Sequence, residues 1–210
     1  MKILLTAFEP FGGETVNPAQ EAVRLVAGRV AGAEIIKCPV PTVFGRAIDV
    51  AAEAMRAVRP QAVVCVGQAG GRTAITPERA AINVEDAVIP DNAGIIPVDK
   101  PVIPGGPAAY FSTLPIKAMV KAIQDIGLPA AVSNTAGTFV CNHLMYGVLH
   151  LIQNEFPLTP GGFIHVPYLV EQAVKKPEPT FGMTLEDIIR GLEAALAAVA
   201  KALPECPFRP

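Results

Sequence analysis

The chain has 210 residues, enough for one well-buried α/β domain and short for two. Its 17 basic and 19 acidic side chains give a formal net charge of -2 without any block of like charge, which argues against nucleic acid or a membrane surface as a partner. Apolar residues make up 51% and charged residues 17%, a balance that predicts self-association, with other subunits covering part of the surface.

Taken in chain order, the first apolar run spans residues 2–8 and reads as a strand; Glu9-Pro10 ends it too early for a signal peptide. Asn17 then supplies a helix N-cap with Pro18 in the first helical position, opening a helix predicted over 18–30. Strands follow at 34–40, 62–67, 80–84, 130–133 and 162–166, and helices at 45–58, 114–126, 141–155 and 185–203. The last helix opens on Thr184-Leu185-Glu186-Asp187, a capping box with Asp in place of Glu. The alternation predicts a single α/β domain over 1–210: a three-layer α/β/α sandwich around a mainly parallel, mixed sheet, with ligands gathering beyond the carboxyl ends of the strands.

The unusual stretch is 90–111, where five prolines discourage regular structure while Ile95, Ile96, Val98, Val102 and Ile103 keep it apolar. It reads as a lid or, in preference, an arm packing on a neighbouring subunit. Residues 127–153 carry no Asp, Glu, Lys or Arg, but Ser133, Asn134, Asn142 and His143 interrupt them, so they read as buried core plus a polar loop rather than a membrane span.

The four cysteines, Cys38, Cys65, Cys141 and Cys206, show no Cys-x-x-Cys spacing and read as reduced thiols of a cytoplasmic protein. Cys141 stands where a polar, Gly-containing loop turns into a helix, so unpaired amides and the positive helix end push it toward thiolate, making it the candidate nucleophile. The competing role is that of a small buried core residue. His165, near the end of a short strand, is the preferred base over His143, which helical geometry points away from the thiol, and His150, which lies more than two turns along the helix. Glu78 is a candidate to orient the imidazole, with Glu85, Asp86 and Asp91 as alternatives that spacing does not separate. The run Gly67-Gln68-Ala69-Gly70-Gly71-Arg72 lacks the lysine of a P-loop and the spacing of a dinucleotide fingerprint. The histidines show no metal-ligand spacing, so neither metal nor cofactor is expected.

Several separated motifs carry a resemblance: Leu5-Thr6-Ala7-Phe8-Glu9-Pro10-Phe11-Gly12-Gly13, Asn17-Pro18, Ile75-Thr76-Pro77-Glu78-Arg79, Ile89-Pro90-Asp91-Asn92, Gly137-Thr138-Phe139-Val140-Cys141-Asn142 and His165-Val166-Pro167. In that order, over most of the chain, they resemble the pyroglutamyl peptidase I family of cysteine peptidases. The resemblance implies a Glu78, Cys141, His165 triad. The implied reaction removes an N-terminal pyroglutamyl residue from a peptide through a thioester, and the implied assembly is a homotetramer. It also implies an apolar substrate pocket from Phe8, Phe11, Asn17, Thr42, Ile89, Phe139 and Val140, with Gln68 close to the oxyanion. The chain departs from the family at Val88, where relatives usually carry arginine, which puts turnover in question. The competing readings are a catalytically silent small-ligand binding protein on the same scaffold and a different cysteine amidohydrolase.

Overall fold

The computed structural model describes residues 1–203, and its centre is a six-stranded sheet. The first strand, β1 (Lys2–Phe8), pairs in parallel with β3 (Ala33–Val40) on one side and β4 (Ala62–Gln68) on the other. Beyond β4 lies β8 (Gly161–Val166), again parallel. Two short antiparallel strands close the edges: β2 (Arg29–Val30) on β3, and β5 (Thr76–Pro77) on β8. The predicted mixed, mainly parallel sheet is therefore present, flanked by helices on both faces.

Strand alternation divides the core. Ile3, Leu5, Val64, Val66, Ile164 and Val166 face α1 (Pro18–Leu25), α3 (Ile116–Asp125) and α6 (Leu185–Ala202). Leu4, Phe8, Val63, Cys65 and Phe163 face α2 (Arg46–Val58) and α4 (Val140–Glu155). The central strands β1, β4 and β8 are covered on both faces, which explains their nearly unbroken apolar runs. Both predicted helix caps form: the Asn17 side chain accepts the Ala19 N–H at 3.0 Å, and Thr184 Oγ1 accepts the Asp187 N–H at 3.1 Å.

Three predicted elements change. The first helix stops at Leu25 rather than residue 30, because Ala31 and Gly32 take left-handed φ of 46° and 83° and turn the chain into the β2–β3 hairpin. The predicted strand 130–133 survives only as isolated bridges, Ile75 to Ala130 and Glu78 to Ser133. Backbone bonds from Ile75 to Pro129, Ala131 to Ile75, Ser133 to Pro77 and Arg79 to Ser133 trace a parallel ladder, and Pro77, having no N–H, removes the rung between them. The predicted strand 80–84 shortens to β6 (Ala80–Ile82) and leaves the main sheet to pair antiparallel with β7 (Ala109–Phe111), at the end of the proline-rich stretch. Near the carboxyl ends of β4 and β8, β9 (Tyr168–Leu169), α5 (Val170–Ala173) and β10 (Gly182–Met183) form a small satellite. Among the described residues no helix is long and apolar enough to cross a membrane, and no group of three or more His, Cys, Asp or Glu is placed to hold a metal ion.

Candidate active site

The carboxyl ends of β4 and β8 and the start of α4 meet at one cleft of about 280 Å³, lined by Phe11, Gln68, Arg72, Phe139, Cys141 and His165 together with the loop 135–138. In parallel register Gly67 stands opposite His165, so both point to the α4 face of the sheet. Cys141 enters that face from the first turn of α4, and its sulfur occupies the space above Gly67. A β-carbon added there would lie 2.9 Å from Cys141 Sγ and 2.8 Å from Phe163 Cζ. Only a residue without a side chain lets the thiol settle at this strand end. The Phe163 ring packs 4.8 Å from the His165 ring and forms the apolar floor behind it.

Behind His165 lies Glu78, fully buried, on the segment directly after β5. Glu78 Oε1 receives the His165 Nδ1–H at 2.6 Å and an Arg72 N–H at 2.5 Å. A carboxylate only accepts, so the imidazole is held with its proton on Nδ1 and its Nε2 lone pair free. Arg72 also donates to Thr76 and to the Thr135 carbonyl at 3.1 Å, tying the carboxylate to the loop that rims the cleft. Charge compensation by this guanidinium makes a buried carboxylate tolerable. Spacing did not single out Arg72; its signal was a lone cation after two glycines, whose partner is identifiable only once β5 folds back on β8.

Of the other candidates, His143, Glu85, His150 and Asp91 have their side chains engaged elsewhere. His143 bonds Glu85 at 2.6 Å through Nδ1 and accepts the Gly45 N–H at 2.8 Å through Nε2, so both nitrogens are committed to structure. His150 bonds the Tyr110 hydroxyl at 2.8 Å and stacks on Tyr146. Asp91 accepts backbone N–H groups of Phe44, Ala93 and Ile95, while the Asp86 backbone brackets Thr138. Cys65 is buried in the core and Cys38 is half-buried on β3, both as free thiols; Cys206 lies outside the described residues.

The predicted pocket residues divide by position. Phe11 and Phe139 line the cleft, their rings 5.9 Å apart. Phe8 lies beneath it, buried in the core with its ring 6.3 Å from that of Phe163, and Val140 is buried in the first turn of α4. Asn17 and Thr42 hold the loop that carries Phe11: both donate to the Glu9 carbonyl, at 3.2 and 2.8 Å. Ile89 abuts the same loop at Gly12. Val88, where the resemblance leads one to look for arginine, is 96% exposed.

The α4 start is open. Phe139 at the N-cap offers no side-chain acceptor, so the first amides of the helix remain available to an anion in the cleft. The expectation that this helix end makes Cys141 a thiolate is nevertheless reversed. Burial pushes the Cys141 thiol up to about 12, and the neighbouring Glu78 charge adds to it against a smaller opposing pull from Arg72. A helix end is worth at most about 2 kcal/mol to an anion, and the burial outweighs it. Burial also depresses the His165 pKa, over the opposing effect of its bond to Glu78. Both shifts favour a resting pair of thiol and neutral imidazole.

The model of the family described as pyroglutamyl peptidase matches residues 1–202. The chain is 57% identical over 201 residues to the pyrrolidone-carboxylate peptidase of Streptococcus suis strain 05ZYH33, covering 96% of this chain and 93% of that one. It is 57% identical over 199 residues to the enzyme of the same name from Streptococcus pyogenes serotype M4, covering 95% and 92%. The crystal structure of pyroglutamyl peptidase I from Bacillus amyloliquefaciens superposes with a TM-score of 0.92 at 50% identity, covering 98% of this chain and 99% of that one. A mutant pyrrolidone carboxyl peptidase from Pyrococcus furiosus gives 0.93 at 39%, covering 97% and 100%.

The neutral pair makes a measurable prediction. Alkylation of Cys141 by iodoacetamide, followed site by site with peptide mapping, should speed up steadily through neutral and alkaline pH. A rate that instead stays flat down to about pH 6 would reveal a standing thiolate and contradict the assignment.

Proposed function

Since the chain belongs to the pyroglutamyl peptidase family, we propose that Cys141, His165 and Glu78 carry its reaction, the removal of an N-terminal pyroglutamyl residue from peptides. The protein is a cysteine peptidase, and the observation that supports this triad best is the buried bond from His165 to Glu78 behind it, with His165 and Cys141 lining one cleft.

His165 Nε2 takes the thiol proton as Cys141 Sγ attacks the carbonyl carbon that joins the lactam ring to the next residue. Concerted transfer suits a thiol whose own pKa is raised, because no charged pair need stand in the apolar cleft beforehand. The developing oxyanion faces the open amides at the start of α4, among them that of Cys141. On collapse, the carbon–nitrogen bond breaks and the His165 proton passes to the departing amine, leaving a thioester on Cys141. Water, deprotonated by the same imidazole, then releases pyroglutamate and restores the thiol. Glu78 keeps the ring in the productive tautomer and stabilises the imidazolium between these steps. Pyroglutamate is compact and uncharged, which suits a small cleft walled by Phe11 and Phe139. Glu78 has Arg72 as its charge partner, so the triad carboxylate is compensated without a cation at position 88.

We further propose a cytoplasmic homotetramer. Its support is the free-thiol chemistry, the family resemblance, and the exposed Ile95, Ile96 and Val98 of the proline-rich stretch, which fit an arm against a neighbour. Sedimentation of the native protein recovered by cell fractionation should find it in the cytosolic fraction as a tetramer. Monomers, or recovery among exported proteins, would contradict this.

Hydrolysis of a pyroglutamyl amide with a fluorescent leaving group tests the triad. Cys141→Ala and His165→Ala should abolish turnover, and Glu78→Gln, which keeps an acceptor for the His165 Nδ1–H but loses the charge that stabilises the imidazolium, should lower kcat by about 10²-fold or more. Full activity in Glu78→Gln would remove Glu78 from its role; binding without hydrolysis by the wild type would favour the silent binding protein, and cleavage only of other amides the different amidohydrolase.

A further inference from the structure

We propose that Gln172 is a positioning residue that locks the Gln68 amide with its Nε2–H group toward the cleft, as a hydrogen-bond donor to a carbonyl oxygen of the bound acyl group. The inference rests on the peptidase reading above.

Gln172 is buried in the short helix α5, and its orientation is set by backbone groups at both ends. Its Oε1 takes the Leu169 N–H at 3.1 Å, and its Nε2 donates to the Val16 carbonyl at 3.1 Å. A backbone amide can only donate and a carbonyl can only accept, so the oxygen and nitrogen of Gln172 are assigned by chemistry. Its second N–H then points to Gln68 Oε1 at 3.3 Å, with Glu14 Oε2 at 3.4 Å beside it. Turning the Gln68 amide over would set two NH₂ groups against each other, so Gln68 must present its oxygen to Gln172 and its nitrogen to the opposite side. Gln68 lines the cleft with Cys141 and His165, and among the described residues no protein acceptor takes its Nε2.

The support behind Gln172 is itself latched. Lys176 bonds Glu14 at 2.5 Å and lies 4.5 Å from the centre of the Tyr168 ring, so the satellite after β8 and the loop after β1 are tied together around the Gln172 amide. A neutral donor held this way suits an uncharged lactam and its adjoining carbonyl better than a cation would.

The test is a double-mutant cycle on the fluorogenic pyroglutamyl amide, with thermal melts to verify folding. Gln68→Met and Gln172→Met should each lower kcat/KM by about tenfold, as expected for loss of one hydrogen bond. The double variant should be no worse than Gln68→Met alone, because Gln172 acts only through Gln68. A loss falling on KM marks the lactam carbonyl as the acceptor, and one falling on kcat the scissile carbonyl; either supports the inference. Gln68→Glu, which keeps an acceptor for Gln172 but shows no donor to the cleft, should lose at least as much as Gln68→Met, and does not depend on Gln172→Met folding. Full activity of a folded Gln172→Met or of Gln68→Glu, or an undiminished effect of Gln172→Met in the Gln68→Met background, overturns the inference while leaving the peptidase reading intact. A wild type without turnover overturns both.

Discussion

The site depends on one hydrogen bond made out of water, from His165 Nδ1 to Glu78 Oε1. It fixes the tautomer of the imidazole, leaves Nε2 free to face the cleft, and places a carboxylate where an imidazolium will form. A carboxylate with no exposed surface is costly unless compensated, and the fold compensates it by wrapping Arg72 over the same oxygen. Arg72 in turn holds the Thr135 carbonyl, so the element that makes Glu78 tolerable also shapes the loop leading to Cys141.

Burial explains how one environment sets two different groups for one task. Burial raises the thiol, with the Glu78 charge adding to it, and burial depresses the imidazole, so both shifts favour the uncharged forms. The pair is then poised for proton transfer rather than held as ions, in keeping with a neutral lactam substrate in a cleft of aromatic walls. His143 and Glu85 form a bond of the same length 58 residues apart in sequence, yet Gly45 occupies the second nitrogen of that ring. What separates a structural histidine from a base here is the free Nε2, not the carboxylate.

Much of this was legible in the residues. Alternation of apolar runs with helical periods revealed the layers, Asn17 and Thr184 marked helix starts, and the polar loop before Cys141 marked the helix that presents it. Local signals failed where tertiary structure decides. Pro77 broke a ladder whose partner strand lies more than fifty residues away, the hairpin at Ala31-Gly32 cut short a helix of good periodicity, and Arg72 gained its meaning only from the fold. The direction of the Cys141 pKa was misjudged for the same reason: a helix start can be read from sequence, whereas burial depends on how distant strands pack. Spacing did not separate Glu78 from Glu85, Asp86 and Asp91; the resemblance pointed to Glu78, and the antiparallel return of β5 onto β8 is what brings it to His165.

Everything the site does begins from a His165 ring that is neutral at rest, with its proton on Nδ1 toward Glu78. Nitrogen-15 NMR of the imidazole at neutral pH, assigned by comparison with His165→Ala, tests it most directly. The spectrum should show one protonated nitrogen, Nδ1, and one bare nitrogen, Nε2; protons on both nitrogens, an imidazolium beside a thiolate, would rule the neutral ring out.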